Sequence, residues 1–177
     1  NSTAYFGYIG RLDANKNIEF LLKVMARFKE KRLKTKCIIA GNGPDGNYLK
    51  ATAKSLDIKA NVEFKGWIKK EDFFSSIDYM LFPPHSEVMP LAIIEAFAYG
   101  VPVITNRFNG FGDPFNETNL FVIDNLEIDE WANSSLKIIT DDSRRESVIK
   151  NAKGTFDKYF SESMMRNLLK NQLKKWN

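Results

Sequence analysis

The sequence predicts a doubly wound α/β domain: a parallel sheet with helices on both faces and a helical C-terminal tail. Three observations carry this. Strand-like and helix-like segments alternate along the chain, which makes each helix a crossover between parallel strands. The strand segments read as nearly continuous apolar runs, as strands covered on both faces do. No internal repeat, low-complexity tract or interior linker divides the 177 residues, so residues 1–177 read as one domain.

The elements follow in order. Ala4 to Ile9 is aromatic and β-branched and predicts a strand. A polar loop, Gly10 to Lys16, precedes Asn17 to Lys31, where Ile18, Leu21, Leu22, Met25 and Phe28 recur at helical spacing. Lys36 to Ala40 is a second strand. Gly41-Asn42-Gly43-Pro44 is a turn, with Pro44 expected in the first turn of a helix that runs to Leu56. Val62 to Phe64 is a third strand, Lys70 to Ser76 a short helix, and Tyr79 to Phe82 a fourth strand. Pro83-Pro84 breaks the chain. Pro90 opens a helix through Ala98 that Gly100 ends. Val101 to Ile104 and Leu120 to Ile123 are strands five and six, joined by a Gly/Asn-rich loop. Helices are expected over Ile128 to Ile139, Asp142 to Tyr159 and Ser161 to Trp176.

Composition excludes several classes. Apolar residues at 44% and charged residues at 27% are ordinary for a globular chain. One cysteine, Cys37, rules out a disulfide scaffold; it lies in an apolar strand as a buried, inert thiol. One His and one Cys make no structural zinc site, so no metal is expected. The apolar stretches are too short to cross a bilayer. Asn1-Ser2-Thr3-Ala4 runs directly into a strand, so the chain is expected to be an excised part of a longer protein. The net charge of +4 reads either as a solvated surface or as attraction to phosphates or anionic lipid.

In a doubly wound sheet, ligands bind at the carboxyl ends of the strands. The loop Gly10-Arg11-Leu12-Asp13-Ala14-Asn15-Lys16 puts two cations between a strand and a helix. That suits a diphosphate, with Arg as a bidentate fork and Lys as a mobile point charge; an ordinary solvated loop reads equally from these residues. Gly41 and Gly43 permit close backbone approach but form neither a dinucleotide fingerprint nor a Walker loop. Glu87 and Glu95 are separated by seven residues. Glu95 falls in an apolar helix, where a carboxylate is costly unless sugar or ribose hydroxyls satisfy it; an acid favoured by the helix dipole, or a surface charge, reads equally from these residues. The helix start at Met89, Pro90 and Leu91 can offer N–H groups to a phosphate, Pro90 itself having none.

Taken together, these pieces resemble the C-terminal half of the family 4 retaining glycosyltransferases, which have the two-domain GT-B fold. Gly10-Arg11-Leu12 with Lys16 is similar to the family's G-R-L-x-x-x-K loop. Ala40-Gly41-Asn42-Gly43-Pro44 resembles its A-G-x-G-P turn, and Val62-x-Phe64-x-Gly66 its V-x-F-x-G strand. Phe82 to Glu87 and Glu95 to Ile104 resemble P-S-x-x-E and E-A-x-A-x-G-x-P-V-I. The five stand in the family's order.

The resemblance implies that this half binds a nucleoside-diphosphate sugar. Gly10, Arg11, Lys16 and Gly43 would serve the diphosphate side, and Arg11 and Lys16 would stabilise the leaving nucleotide without a metal or other cofactor. Glu87 would contact donor-sugar hydroxyls and Glu95 the ribose. Val88, Met89, Pro90 and Leu91 would meet sugar and phosphates, and residues near Gly66 to Ile68 the base. Arg11, Lys16 and Glu87 are the implied catalytic residues. The reaction implied is retaining transfer of a hexosyl-type unit to a glycan or lipid-linked acceptor in surface polysaccharide synthesis, in the cytoplasm or at the inner face of the membrane. The partner implied is an N-terminal acceptor domain that this chain does not contain, so the isolated domain is expected to be inactive. Three departures stand out: Asn17 where the family usually has Gly, Val88-Met89-Pro90 where it is Gly-rich, and an inserted-looking Asp113-Pro114-Phe115.

Two other readings remain. A sugar-nucleotide epimerase shares the architecture but needs acid–base groups, and His85 is the single histidine. A non-catalytic domain at a membrane surface would use the tail cations Lys150, Lys153, Lys158, Arg166, Lys170, Lys174 and Lys175. Nucleic acid is the least favoured partner, because the aromatics fall in core segments rather than on a basic stacking platform.

Overall fold

In the computed structural model, which describes residues 3–164, six strands form one sheet: β1 (Ala4–Ile9), β2 (Thr35–Ala40), β3 (Val62–Gly66), β4 (Tyr79–Phe82), β5 (Val103–Thr105) and β6 (Phe121–Val122). Their order is β3-β2-β1-β4-β5-β6, and every pairing is parallel. The strand order reverses between β1 and β4. Loops leaving these two neighbours depart to opposite faces and open a crevice at their carboxyl ends.

Six α-helices cover the sheet: α1 (Ile18–Glu30), α2 (Gly46–Ser55), α3 (Lys70–Ser75), α4 (Leu91–Tyr99), α5 (Ile128–Ile139) and α6 (Asp142–Tyr159). Among the described residues α1 packs with α2 and α5, and α4 with α3 and α6, while α5 and α6 meet at their shared corner. The α1 stripe Ile18, Leu21, Leu22, Met25 and Phe28 is buried throughout, with Phe28 stacked on Phe6 of β1 at 5.2 Å. Trp131 of α5 meets Phe20 of α1 edge-on at 5.3 Å; its indole N–H donates to the Asn125 carbonyl, so no polar atom is stranded. All four residues of β4 are buried, as the continuous apolar run requires.

The differences from the expected elements are local. Ala14–Lys16 forms a 3₁₀ turn inside the expected loop, its start capped by the Asp13 carboxylate. Pro44 is not in the first turn of α2, which begins at Gly46. Leu49 N–H bonds to the Asp45 carbonyl, and Pro44 is left in the preceding turn. Strand β5 begins at Val103 rather than Val101, since Pro102 can offer only its carbonyl, which Met80 N–H takes. Strand β6 is two residues long. Gly100 ends α4 in the left-handed region, φ 69°. Residues 165–177, and with them most of the expected Ser161 to Trp176 helix and the cations Arg166, Lys170, Lys174 and Lys175, lie outside the described residues.

Candidate functional site

Three loops at the carboxyl end of the sheet are fastened main chain to main chain. Gly10 N–H donates to the Ala40 carbonyl at 3.0 Å, Leu12 N–H to Asn42 at 3.1 Å, and Gly41 N–H to Gly66 at 2.7 Å. The approach is close enough to demand glycine. Gly41 has φ +125°, and a Cβ there would lie 1.9 Å from the Gly10 carbonyl oxygen; at Gly43 it would lie 2.2 Å from that of Leu12. Beneath the first loop, buried Tyr8 donates its hydroxyl to the Arg11 carbonyl at 3.0 Å. Burial above all, then the charges of Asp13 and Glu87, push its phenol well above the ordinary value, so it stays a donor.

The two loops on either side of the crevice meet through a charged pair. Lys16 Nζ lies 2.6 Å from Glu87 Oε2, with side chains 25% and 16% exposed. Main chain reinforces the approach, since His85 N–H donates to the Asn15 carbonyl at 2.9 Å. Buried Asn106 donates to the Pro84 carbonyl at 3.0 Å and holds the Pro83–Glu87 segment from β5. Burial by itself would raise the Glu87 carboxyl; the Lys16 hydrogen bond and charge, with the Val88 and Met89 N–H groups, outweigh it and leave the group below its ordinary value. Asn17 has φ 53° and ψ 40°. Asn is the residue other than glycine that best tolerates this region, which accounts for its standing where the resemblance expects Gly.

Beside this pair a cavity of about 450 Å³ opens between the ends of β1, β2 and β3 and the start of α4. Its polar groups are Arg11, Asn42, Trp67, Lys70 and Glu95. Glu95 is satisfied by Lys70, whose Nζ lies 2.5 Å from Oε1. The Trp67 ring is 87% exposed; with the Asn42 amide oriented to satisfy both its ends, Asn42 accepts from Trp67 Nε1 at 3.0 Å and donates to the Gly41 carbonyl at 3.1 Å. Arg11 reaches into solvent, 3.4 Å from Asp13.

Comparison with known proteins fits this layout. The model of the glycosyl transferases group 1 family matches residues 1–155. The chain belongs to this family. An uncharacterised glycosyltransferase of Methanocaldococcus jannaschii is 28% identical over 157 residues, covering 86% of this chain and 40% of that protein. The GDP-mannose-dependent alpha-mannosyltransferase of Corynebacterium glutamicum is 30% identical over 146 residues, 80% of this chain and 33% of that one. The crystal structure of Anabaena HepE with UDP-glucose superposes with a TM-score of 0.85 at 19% identity, over 98% of this chain and 49% of that one. The family 4, GT-B resemblance therefore holds for the fold, and the chain spans less than half the length of these relatives.

In this group 1 chain the structure distributes the expected site residues unevenly. Gly10, Arg11, Ile68, Leu91 and Glu95 line the one cavity, while Lys16 and Glu87 pair beside it. Gly43 packs on Leu12 and borders a separate hollow of about 180 Å³. The helix start differs from expectation. Pro90 is the cap of α4, whose first residue is Leu91, and the Val88 N–H is already bonded to the Glu87 carboxylate at 3.0 Å. The Val88 amide thus serves Glu87, and that of Met89 also helps keep its carboxyl low. The expected insertion is a packed corner: Phe115 is buried against Phe97 and Phe108, and Gly110 lies under the Val88 carbonyl, where a Cβ would come within 1.8 Å.

Sequence reasoning missed Lys70, Asn42, Tyr8 and Asn106 as site residues. The apolar surroundings of Glu95 were a usable signal that a donor must face it, and Lys70 is that donor. Among the described residues no cluster of His, Cys, Asp and Glu could hold a metal ion, and no helix is long and apolar enough to cross a membrane.

Proposed function

We propose that this chain is the donor half of a retaining glycosyltransferase that takes a hexosyl-type unit from a nucleoside-diphosphate sugar. The carrying observation is a cavity lined by Arg11 and the Lys70–Glu95 pair, with Lys16 and Glu87 paired between the loops that follow β1 and β4, the neighbours at the switch point. The nucleoside occupies the 450 Å³ cavity with its ribose at Glu95, its base near Gly66 to Ile68, and its diphosphate toward Arg11 and Lys16. As the bond from the anomeric carbon to the phosphate oxygen breaks, its electrons stay on the diphosphate. Cations fixed at that point stabilise the transition state more than the ground state, and no metal is required. Glu87, kept ionised by Lys16, accepts from donor-sugar hydroxyls.

The names of the relatives support the donor class: one uses GDP-mannose and one neighbour holds UDP-glucose. The acceptor belongs to the companion domain, and a glycan or lipid-linked acceptor at the inner face of a membrane is the expected one. The chain by itself binds donor without transferring. Calorimetric titration with UDP, GDP and ADP, free and sugar-linked, tests this. One nucleotide saturates the chain, and Arg11→Ala and Glu95→Ala each weaken it; an unchanged affinity in both variants refutes the placement.

A further inference from the structure

The opposite end of the sheet carries a second cavity, of about 520 Å³, among the amino ends of β1, β2 and β4, the α1–β2 turn and the α5–α6 corner. It is far from the loops just described, since Ala4, Thr35 and Tyr79 begin the strands whose other ends form the crevice. Three cations border it: Arg32, Lys34 and Arg145. Among the described residues none of the three has a carboxylate within 4 Å, although ten ion pairs form elsewhere. Two carboxylates share the lining. Asp78 is occupied by the Tyr5 N–H at 2.8 Å, and Asp142 stands in the first turn of α6.

Two further features make this more than a charged surface. The Arg145 guanidinium sits over the Tyr79 ring, its central carbon 5.1 Å from the ring centre, and its Nε is buried without a hydrogen-bond partner. Thr35, 3% exposed, has a buried hydroxyl that is equally without one. Both atoms are fully buried behind the cavity wall, so a ligand in the cavity meets the Arg32, Lys34 and Arg145 head groups that border it. Leu33, Leu136 and Ile139 give the same cavity an apolar side.

We infer that this cavity binds a phosphomonoester, with the phosphate between Arg145 and the Arg32–Lys34 turn and its carbon portion against Leu136 and Ile139. A guanidinium favours bidentate contact with phosphate oxygens. The phosphate belongs either to a soluble metabolite or to a lipid headgroup, and the site is separate from the donor crevice.

Two probes distinguish the sources: calorimetry with glycerol phosphate, and co-sedimentation with phosphatidylcholine vesicles with and without phosphatidic acid. Saturable binding of glycerol phosphate identifies a soluble ligand, and binding confined to phosphatidic acid vesicles a headgroup; either supports the site. Arg145→Ala lowers the affinity about tenfold or more, the size expected for a charge-assisted contact. The double variant Arg32→Asn, Lys34→Ala does the same; Asn is used at Arg32 because its φ is +57°. Circular dichroism melts confirm that both variants fold. Lys54→Ala, an exposed charge on α2 outside the cavity, leaves the affinity unchanged. Binding of neither probe overturns the inference, and so does an equal loss in Lys54→Ala, which would mark diffuse attraction.

Discussion

Replacing Gly41 with alanine places a methyl group 1.9 Å from the Gly10 carbonyl oxygen and 2.9 Å from its carbon. Real Cβ atoms do not come within 3.0 Å of such neighbours, so the β1–α1 and β2–α2 loops must part by about 1 Å. The neighbour is main chain and has no rotamer with which to yield. Parting lengthens Gly10 N–H to Ala40 and Leu12 N–H to Asn42, now 3.0 and 3.1 Å, each worth about 1 kcal/mol. Holding a side chain at φ +125° adds roughly 1–3 kcal/mol. The expected loss is about 3 kcal/mol or more, which for a domain of this size lowers Tm by about 6–12 °C. Because Gly10 and Arg11 move with the loop, nucleotide affinity falls as well. Thermal melting and calorimetry on the same sample read both. A Tm within about 2 °C of the parent value would refute the claim that the two loops are in hard contact.

Other expectations are simpler. Gly154→Ala, inside α6 with nothing near its Cβ, stabilises the chain by about 0.5–1 kcal/mol, read from urea unfolding. Lys16→Met removes the partner of Glu87, whose folded carboxyl lies below its ordinary value. That lowered value contributes stability at neutral pH which is lost as pH falls through the folded titration. Parent and variant melts therefore differ most near neutrality and converge in acid as the Glu87 carboxyl takes up its proton, and a gap that widens in acid contradicts the pairing. Cys37, buried and with its thiol pushed up to about 12 by that burial, reacts with a thiol reagent only on unfolding, so labelling at the same rate with and without denaturant would count against it.

Most of the fold could be read from the chain because it is carried by local signals. The apolar runs of β1, β2 and β4 and the stripe of α1 each state their own burial, and Gly100 marks its helix end alone. What was not legible depends on partners distant in sequence. Lys16 and Glu87 are 71 residues apart and Lys70 and Glu95 are 25 apart; no periodicity announces either pair. Pro44 was misplaced because a proline suits both a first helical turn and the turn before it, and the close packing of Gly43 on Leu12 decided between them. The helix start at Met89, Pro90 and Leu91 suited a phosphate on sequence grounds; that the Glu87 carboxylate takes the adjacent Val88 amide is a local contact no sequence pattern announces.

The main-chain fastening of the three loops has a practical consequence for engineering. None of those bonds uses a side chain, so the frame of the crevice does not depend on the identity of Trp67, which hangs from it into solvent. Randomising this position, with Gly10, Gly41 and Gly43 left intact, searches alternative nucleotide preferences on a scaffold whose melting temperature stays near that of the parent.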